Sequence, residues 1–198
     1  VHLGMTGHLY WTASPDLPAS TRAVFELAPP SAGRLIFEDS RMFGRITVHP
    51  TAELPNLLAD YGPEPLDPSF TWQLLKSSAA RLRAPLKPFL LDQRRVAGLG
   101  NIWAAEALFL ARLDPRRRVD TLSDPDWRRL RHAIYSVLDR AVTNTFKVTS
   151  RPEEFPDADL LTVKVYGRES LPCRRCRTPI SRIEQAARST FFCPFCQS

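Results

Sequence analysis

The chain has 198 residues, 43% apolar and 24% charged, with 27 basic against 21 acidic residues and a formal charge of +6. That length can bury one sizeable core or two small lobes without disulfides, the composition reads as soluble and folded, and no apolar run approaches membrane length. No signal peptide is visible, so an intracellular location with four reduced cysteines is expected, and the basic clusters at Arg112, Arg116 to Arg118 and Arg168 to Arg188 point either to a polyanionic partner or to a solvated basic surface.

Residues 1–50 read as β structure. The chain begins VHLGMTGHLYW, already inside a strand-like pattern, as a truncated start would. Apolar residues alternate through Leu3 and Met5 and again at Leu9 and Trp11, with Gly4 and Gly7 marking bends. Further strands are predicted at Arg22 to Ala28, at Arg34 to Glu38 after the turn-rich Pro29-Pro30-Ser31-Ala32-Gly33, and at Arg45 to Val48. Short strands with tight turns suggest an antiparallel sandwich or barrel. The loop Asp39 to Gly44 pairs a guanidinium, Arg41, with a ring, Phe43; the alternative is a core Phe beside a surface Arg.

Residues 51–68, with Pro55, Pro63, Pro65 and Pro68, form a connector, and a lobe boundary is expected near Pro68. Helical patterns follow at Phe70 to Leu82 and from Leu86 to Val96/Ala97, where Pro88 falls harmlessly in the first turn. Gly98 to Asn101 is predicted to turn between helices, with Asn101 as the N-cap of an all-round apolar helix, Ile102 to Ala111, interrupted by Glu106 alone. Two glycines at a helix start, with Lys87, Arg94 and Arg95 nearby, suit an anion such as phosphate; a tight turn between core helices is the plainer account. A strong helix is predicted from Pro125 to Val142, opened by Ser123 and Asp126 in capping-box spacing, and a loop from Thr143 to Asp159.

The most specific segment is the last. Cys173-Arg-Arg-Cys176, sixteen residues, then Cys193-Pro-Phe-Cys196 fits a tetrahedral zinc site at the open end of a β-hairpin; a disulfide pair or four unrelated thiols are the alternatives. Four protein ligands leave no position for water, so such a zinc would be structural.

Five segments in order, HLGMTG at His2 to Gly7, SRMFG at Ser40 to Gly44, LKPFLLDQRRVAGLGNIWAAEALF, VYGR at Val165 to Arg168 and RSTFFCPFCQ ending at Gln197, resemble the formamidopyrimidine-DNA glycosylase and endonuclease VIII family, the formamidopyrimidine branch above all. The resemblance covers essentially the whole chain. It implies an α+β, multi-lobed fold: a truncated N-terminal antiparallel β-sandwich lobe (1–50), the connector (51–68), a helical lobe with a helix-two-turn-helix motif (69–160) and a zinc-finger β-hairpin (161–198). It also implies base-excision repair: a bifunctional glycosylase and abasic-site lyase removing oxidised purines from double-stranded DNA, as a cytoplasmic monomer that does not engage membranes and holds one structural zinc. By the same resemblance Lys87, Asn101 and Arg188 contact phosphates, Arg188 also serves the elimination step, and Met5, Arg41 and Phe43 fill the gap left by a flipped nucleotide, a task suited to a thioether, a guanidinium and a ring.

The sequence departs from the family pattern in one serious respect. The N-terminal proline that forms the Schiff base, the glutamate beside it and a lysine of the first lobe are not matched, so the chain as given is expected to lack the nucleophile, although Val1 offers an α-amine. Met42 replaces a usual arginine, Ser20-Thr21-Arg22 stands where a histidine-rich segment is common, and Asn144 to Leu161 has no clear match to the lesion-covering loop. The alternative function is a non-catalytic, zinc-dependent binder of damaged or kinked DNA.

Overall fold

The computed structural model describes residues 1–148 and 163–198, with backbone alone at 145–148. The chain forms two compact units, Val1–Pro55 and Asn56–Ser198. Among the described residues no helix is long and apolar enough to cross a membrane.

The first unit is the expected β lobe, built on a three-stranded antiparallel sheet in the order β1-β3-β2, with β1 at Gly7–Thr12, β2 at Thr21–Leu27 and β3 at Gly33–Asp39. The central strand is the most covered: Ile36, opposite both Tyr10 and Val24, is fully buried, and Phe37 is buried as well. Two expected strands are not formed. Leu3 lies in a tight turn, closed by Gly7 N donating to Leu3 O at 2.9 Å, with Gly4 left-handed at φ +65°. Arg45 makes only one isolated bridge, to His2. The cause is Asp39, whose carboxylate takes the N–H of Gly44 (2.6 Å) and of Arg41 (3.3 Å) and so turns the chain out of the sheet.

In the second unit α1 (Leu54–Leu58, starting at the boundary) is followed by α2 (Trp72–Ser78), α3 (Leu86–Leu91), α4 (Asn101–Ala111) and α5 (Asp124–Val148). Helix α2 starts where the Thr71 hydroxyl accepts Leu74 N, and it ends earlier than its periodicity suggested, before the left-handed Arg81 at φ +64°. Helix α3 is also shorter than predicted, because Asp92 takes an extended backbone and its carboxylate captures Arg94 N at 3.1 Å, competing with the helical ladder. Helix α5 continues past Val142 to Val148; the rest of the loop predicted to begin at Thr143 lies outside the described residues.

Helix α4 is apolar all round because both of its faces are covered. Ala104, Ala107, Leu108 and Ala111 join the helical core, in which Phe89 meets Trp127 edge-on at 6.0 Å. Ala105 and Phe109 join a second core with Val165, Ile180 and the buried cysteines of the hairpin formed by β4 (Ser181–Gln185) and β5 (Arg188–Phe192). Burying Phe109 alone is worth roughly 1.5–3 kcal/mol. Glu106, the one acid in this helix, is buried, and its carboxylate accepts three backbone N–H groups, from Lys164 (2.8 Å), Val165 (2.9 Å) and Tyr166 (2.9 Å).

The capping box at the start of α5 forms as expected: Ser123 N and Oγ donate to Asp126 Oδ2 at 3.0 and 2.8 Å. Asp126 is buried and also pairs with Arg117 (2.9 Å) and Arg129 (2.5 Å). Burial pushes its carboxyl upward, but the Ser123 hydrogen bonds and the two guanidiniums outweigh that and hold it below the ordinary 3.8. Its stabilising contribution is therefore complete above that value and is lost as pH falls through the folded pKa. Asp126→Ala should lower unfolding free energy by about 2 kcal/mol near neutrality. In urea denaturation followed by circular dichroism, the gap between variant and wild type should narrow below pH 3.8. A gap that is constant with pH would contradict this account.

Candidate nucleic-acid interface and metal centre

The hairpin carries the metal centre. Two loops, Pro172 to Arg177 and Cys193 to Cys196, present Cys173, Cys176, Cys193 and Cys196 so that all four Sγ atoms lie within 4.8 Å of one another. A tetrahedron with zinc–sulfur distances of about 2.3 Å has edges of about 3.8 Å, so the cluster fits one zinc ion without rearrangement of the fold. None of the four is joined in a disulfide, and all four sulfurs converge on one position. Backbone N–H groups of Arg175 and Cys196 point at Cys173 Sγ and Cys193 Sγ, each at 3.4 Å, the pattern that stabilises thiolate charge. The four sulfurs are the ligand set of one structural zinc. A buried glutamine locks the centre to the helical unit: Gln197 Oε1 accepts Cys193 N at 2.8 Å while its Nε2 donates to Leu113 O at 3.0 Å.

The two helices of the expected turn have opposite N-termini. At α3 the free donors are used internally, Leu86 N on Arg117 O (2.8 Å) and Lys87 N on Pro115 O (3.1 Å), and Pro88 has none to offer. At α4 the N-cap is Gly100, not Asn101 as expected; no side chain caps the helix, and a Cβ at Gly100 would meet nothing within 4 Å. Of the two glycines, Gly98 is left-handed (φ +71°), whereas Gly100 is extended and its importance is open space. Arg94 and Arg95, candidates for an anion, both pair with Asp92, and Arg95 also donates to Ser78 O.

Asn101 is freed from capping for a tertiary role. Its Nδ2 donates to Ser189 O at 3.2 Å and reaches Tyr166 Oη at 3.4 Å, while Oδ1 is buried without a partner among the described residues. Lys87 is fully buried, and its Nζ donates to the same Ser189 O and to Thr190 Oγ1, both at 2.8 Å. Burial and then the neighbouring Arg188 charge lower its pKa to about 8. Thus Lys87 and Asn101 meet at one carbonyl, adjacent in sequence to the exposed Arg188 at the start of β5. Lys87 is an internal cation here rather than a free surface one.

In the β lobe Met5, Arg41 and Phe43 stand on adjoining turns. The Gly4 turn lies so close to Phe43 and Gly44 that a Cβ on Gly4 would fall 2.7 Å from the Phe43 carbonyl carbon. His2 and Arg45 bridge the two turns, and the buried Asp39 accepts Thr6 Oγ1 at 2.5 Å as well as the N–H groups of its own turn. These hydrogen bonds, Thr6 first and then Gly44, hold the Asp39 carboxyl below the ordinary value despite burial. The three side chains are left exposed, Met5 by 71% and Phe43 by 57%, with the Arg41 guanidinium 5.0 Å from the Phe43 ring centre. An exposed methionine and phenylalanine on rigid turns can insert into a base stack; they add nothing to this lobe's core.

Sequence reasoning missed Gln93, Glu106 and Gln197 as organisers. Glu106 had a visible signal, a lone acid in an apolar helix, whereas Gln93 and Gln197 had none.

Three family models match the chain: "Formamidopyrimidine-DNA glycosylase N-terminal domain" over residues 1–46, "Formamidopyrimidine-DNA glycosylase H2TH domain" over 61–151 and "Zinc finger found in FPG and IleRS" over 170–198. Formamidopyrimidine-DNA glycosylases of Desulforamulus reducens and Pelotomaculum thermopropionicum are 40% and 39% identical to it, each aligned across the whole chain and 73% of the relative. Among solved structures, the Lactococcus lactis formamidopyrimidine-DNA glycosylase bound to DNA with an abasic site superposes with TM-score 0.83 at 29% identity, covering 100% of this chain and 72% of that one. A MutM complex with DNA containing carbocyclic 8-oxo-G gives 0.86 at 32%, covering 100% and 73%, and the Thermus thermophilus MutM protein gives 0.80 at 39%, covering 98% and 73%.

Because the hairpin core is small, the metal should supply much of its folding energy. Metal analysis of reduced protein should find about one zinc equivalent. Chelation, or Cys193→Ser, should speed amide exchange through β4 and β5 and leave α5 protected. Full protection of the hairpin after metal removal would refute this.

Proposed function

Starting from the fact that the chain belongs to the formamidopyrimidine-DNA glycosylase family, whose members are DNA glycosylases of base-excision repair, we propose that it serves a bifunctional glycosylase and abasic-site lyase acting on oxidised purines in duplex DNA. The observation that carries this reading is the open N-terminus of α4, where Asn101 and Lys87 both donate to Ser189 O, the carbonyl next in sequence to the exposed Arg188. We assign phosphate contact to Asn101 and Arg188, with Lys87 contributing positive potential from beneath, and gap filling to Met5, Arg41 and Phe43. Arg188 is further assigned to the elimination step. The working unit is a monomer in the cytoplasm, divided functionally into a β lobe (1–50), connector (51–68), helical lobe (69–160) and zinc hairpin (161–198). Zinc, when bound, fixes the hairpin so that Arg188 is held in place; it takes no part in the chemistry.

Base release by this route needs an amine that is deprotonated near neutrality and a carboxylate to manage protons. The proline, its adjacent glutamate and the first-lobe lysine of the family pattern have no counterpart within residues 1–198, and Val1 has no glutamate beside it. We therefore propose that residues 1–198 by themselves bind damaged duplex without excising bases.

Two measurements test the reading. Arg188→Ala should weaken binding to many duplexes alike and reduce the slope of log affinity against log salt by roughly one, as the loss of one phosphate contact does. An unchanged slope removes Arg188 from the contact set. In borohydride trapping on duplex containing oxidised guanine or an abasic site, residues 1–198 should give no covalent adduct, and the same residues preceded by an N-terminal Pro-Glu β segment should give one. An adduct from residues 1–198, abolished by blocking Val1, would overturn the second proposal; failure of the extended protein to react would favour the non-catalytic binder.

A further inference from the structure

The turn between α3 and α4 is held from inside by a single side chain. Gln93 Oε1 accepts Gly98 N at 2.8 Å, and Gln93 Nε2 donates to Leu91 O at 3.3 Å and to Leu99 O at 3.2 Å. One amide thereby satisfies backbone groups on both sides of the turn, including the N–H of the left-handed Gly98. From outside, the same turn is tied to the preceding segment by Gly62 N on Gln93 O (2.8 Å) and Ala97 N on Pro63 O (3.2 Å). That approach is so close that a Cβ on Gly62 would lie 2.7 Å from the Arg95 carbonyl carbon.

Only a primary amide of this length fits the position. It must accept from one N–H and donate to two carbonyls; a glutamate lacks the donors, a lysine lacks the acceptor, and an asparagine is one methylene short. The residues that leave this turn are those of the open site: Gly100, with clear space beyond it, and Asn101, whose side chain reaches Ser189 O. A displaced Gly98 would carry both with it, because only Leu99, fully buried, separates it from Gly100.

We infer that Gln93 is a positioning residue that fixes the Gly98 to Asn101 turn, and so sets the open N-terminus of α4 and the Asn101 side chain in register for a DNA phosphate. The inference deepens the DNA-binding reading above and rests on it. Gln93 touches neither substrate nor reacting atoms in this arrangement; it acts through the backbone.

The test compares Gln93→Met, which keeps the shape and loses all three hydrogen bonds, with Gln93→Glu, which keeps the acceptor for Gly98 N and regains a donor to the carbonyls only when protonated. Charged groups around this turn are Glu64, whose carboxylate lies 3.9 Å from where a Cβ on Gly98 would stand, and Asp92, Arg94 and Arg95, which flank Gln93 in sequence. Affinity is measured by anisotropy on a labelled duplex with a tetrahydrofuran abasic-site analogue, from pH 5 to 8 and relative to wild type at each pH. Amide exchange is followed at residues 93–103 in the same proteins. Gln93→Met should bind roughly tenfold more weakly at every pH, the effect of losing about 1.4 kcal/mol of hydrogen bonding, with faster exchange at Gly98. Gln93→Glu should be weakened at pH 8, where its carboxylate faces the Leu91 and Leu99 carbonyls without a donor, and partly recovered at pH 5, a recovery that a merely space-filling role does not produce. Wild-type affinity and exchange in Gln93→Met overturn the inference. If Gln93→Met does not fold, the absence of any pH-dependent recovery in Gln93→Glu overturns it instead. Should wild type itself fail to bind the duplex, the DNA-binding reading fails; unchanged Gly98 exchange in Gln93→Met then still refutes the positioning role, and faster exchange upholds it.

Discussion

Helix α4 is covered on both faces, and the rest of the second unit depends on that constraint. One face closes the helical core and the other closes the core of the zinc hairpin, so a helix with no amphipathic stripe becomes the shared wall of two small cores. A hairpin of this size has too little apolar area to stand alone; it draws on Phe109 and Ala105 from the helix and on four sulfurs gathered around one metal position. With the wall fixed, its N-terminal end is fixed too, and Asn101 is delivered against Ser189 O from across the chain.

Two charged groups buried at this wall, Glu106 and Lys87, are hydrogen-bonded. Glu106 accepts three N–H groups and so holds Lys164 to Tyr166 against the helix. Among the described residues no carboxylate pairs with Lys87; instead a carbonyl and a hydroxyl of β5 accept its hydrogen bonds, and burial together with Arg188 makes its charge less favourable than in water. An ammonium held in that way adds positive potential to the surface above it without being exposed, whereas Arg94, Arg116 and Arg118, each matched with a nearby aspartate, contribute much less field than their number suggests.

The β lobe follows a different rule. Its sheet is set by an apolar central strand, but its exposed edge is set by one buried carboxylate, Asp39, which gathers the N–H groups of its own turn and the hydroxyl of Thr6. With the backbone held in that way, Met5 and Phe43 face solvent and add nothing to the core of the lobe.

By itself the sequence determined the metal ligands, the capping box of α5, the buried character of α4 and the family, because each is written in residue types at fixed local spacing. Helix lengths were only partly legible. Periodicity extended α2 and α3 too far, since it registers which residues are apolar and is blind to an aspartate such as Asp92 that captures backbone N–H groups. Only the tertiary structure decided that Asn101 is released from capping, that Lys87 is buried beneath the hairpin, and that Gln93 closes the turn between α3 and α4. Partners such as Lys87 and Thr190 are brought together by the packing of separate cores, and no local pattern in a chain specifies which distant carbonyl or hydroxyl will be waiting for a buried donor.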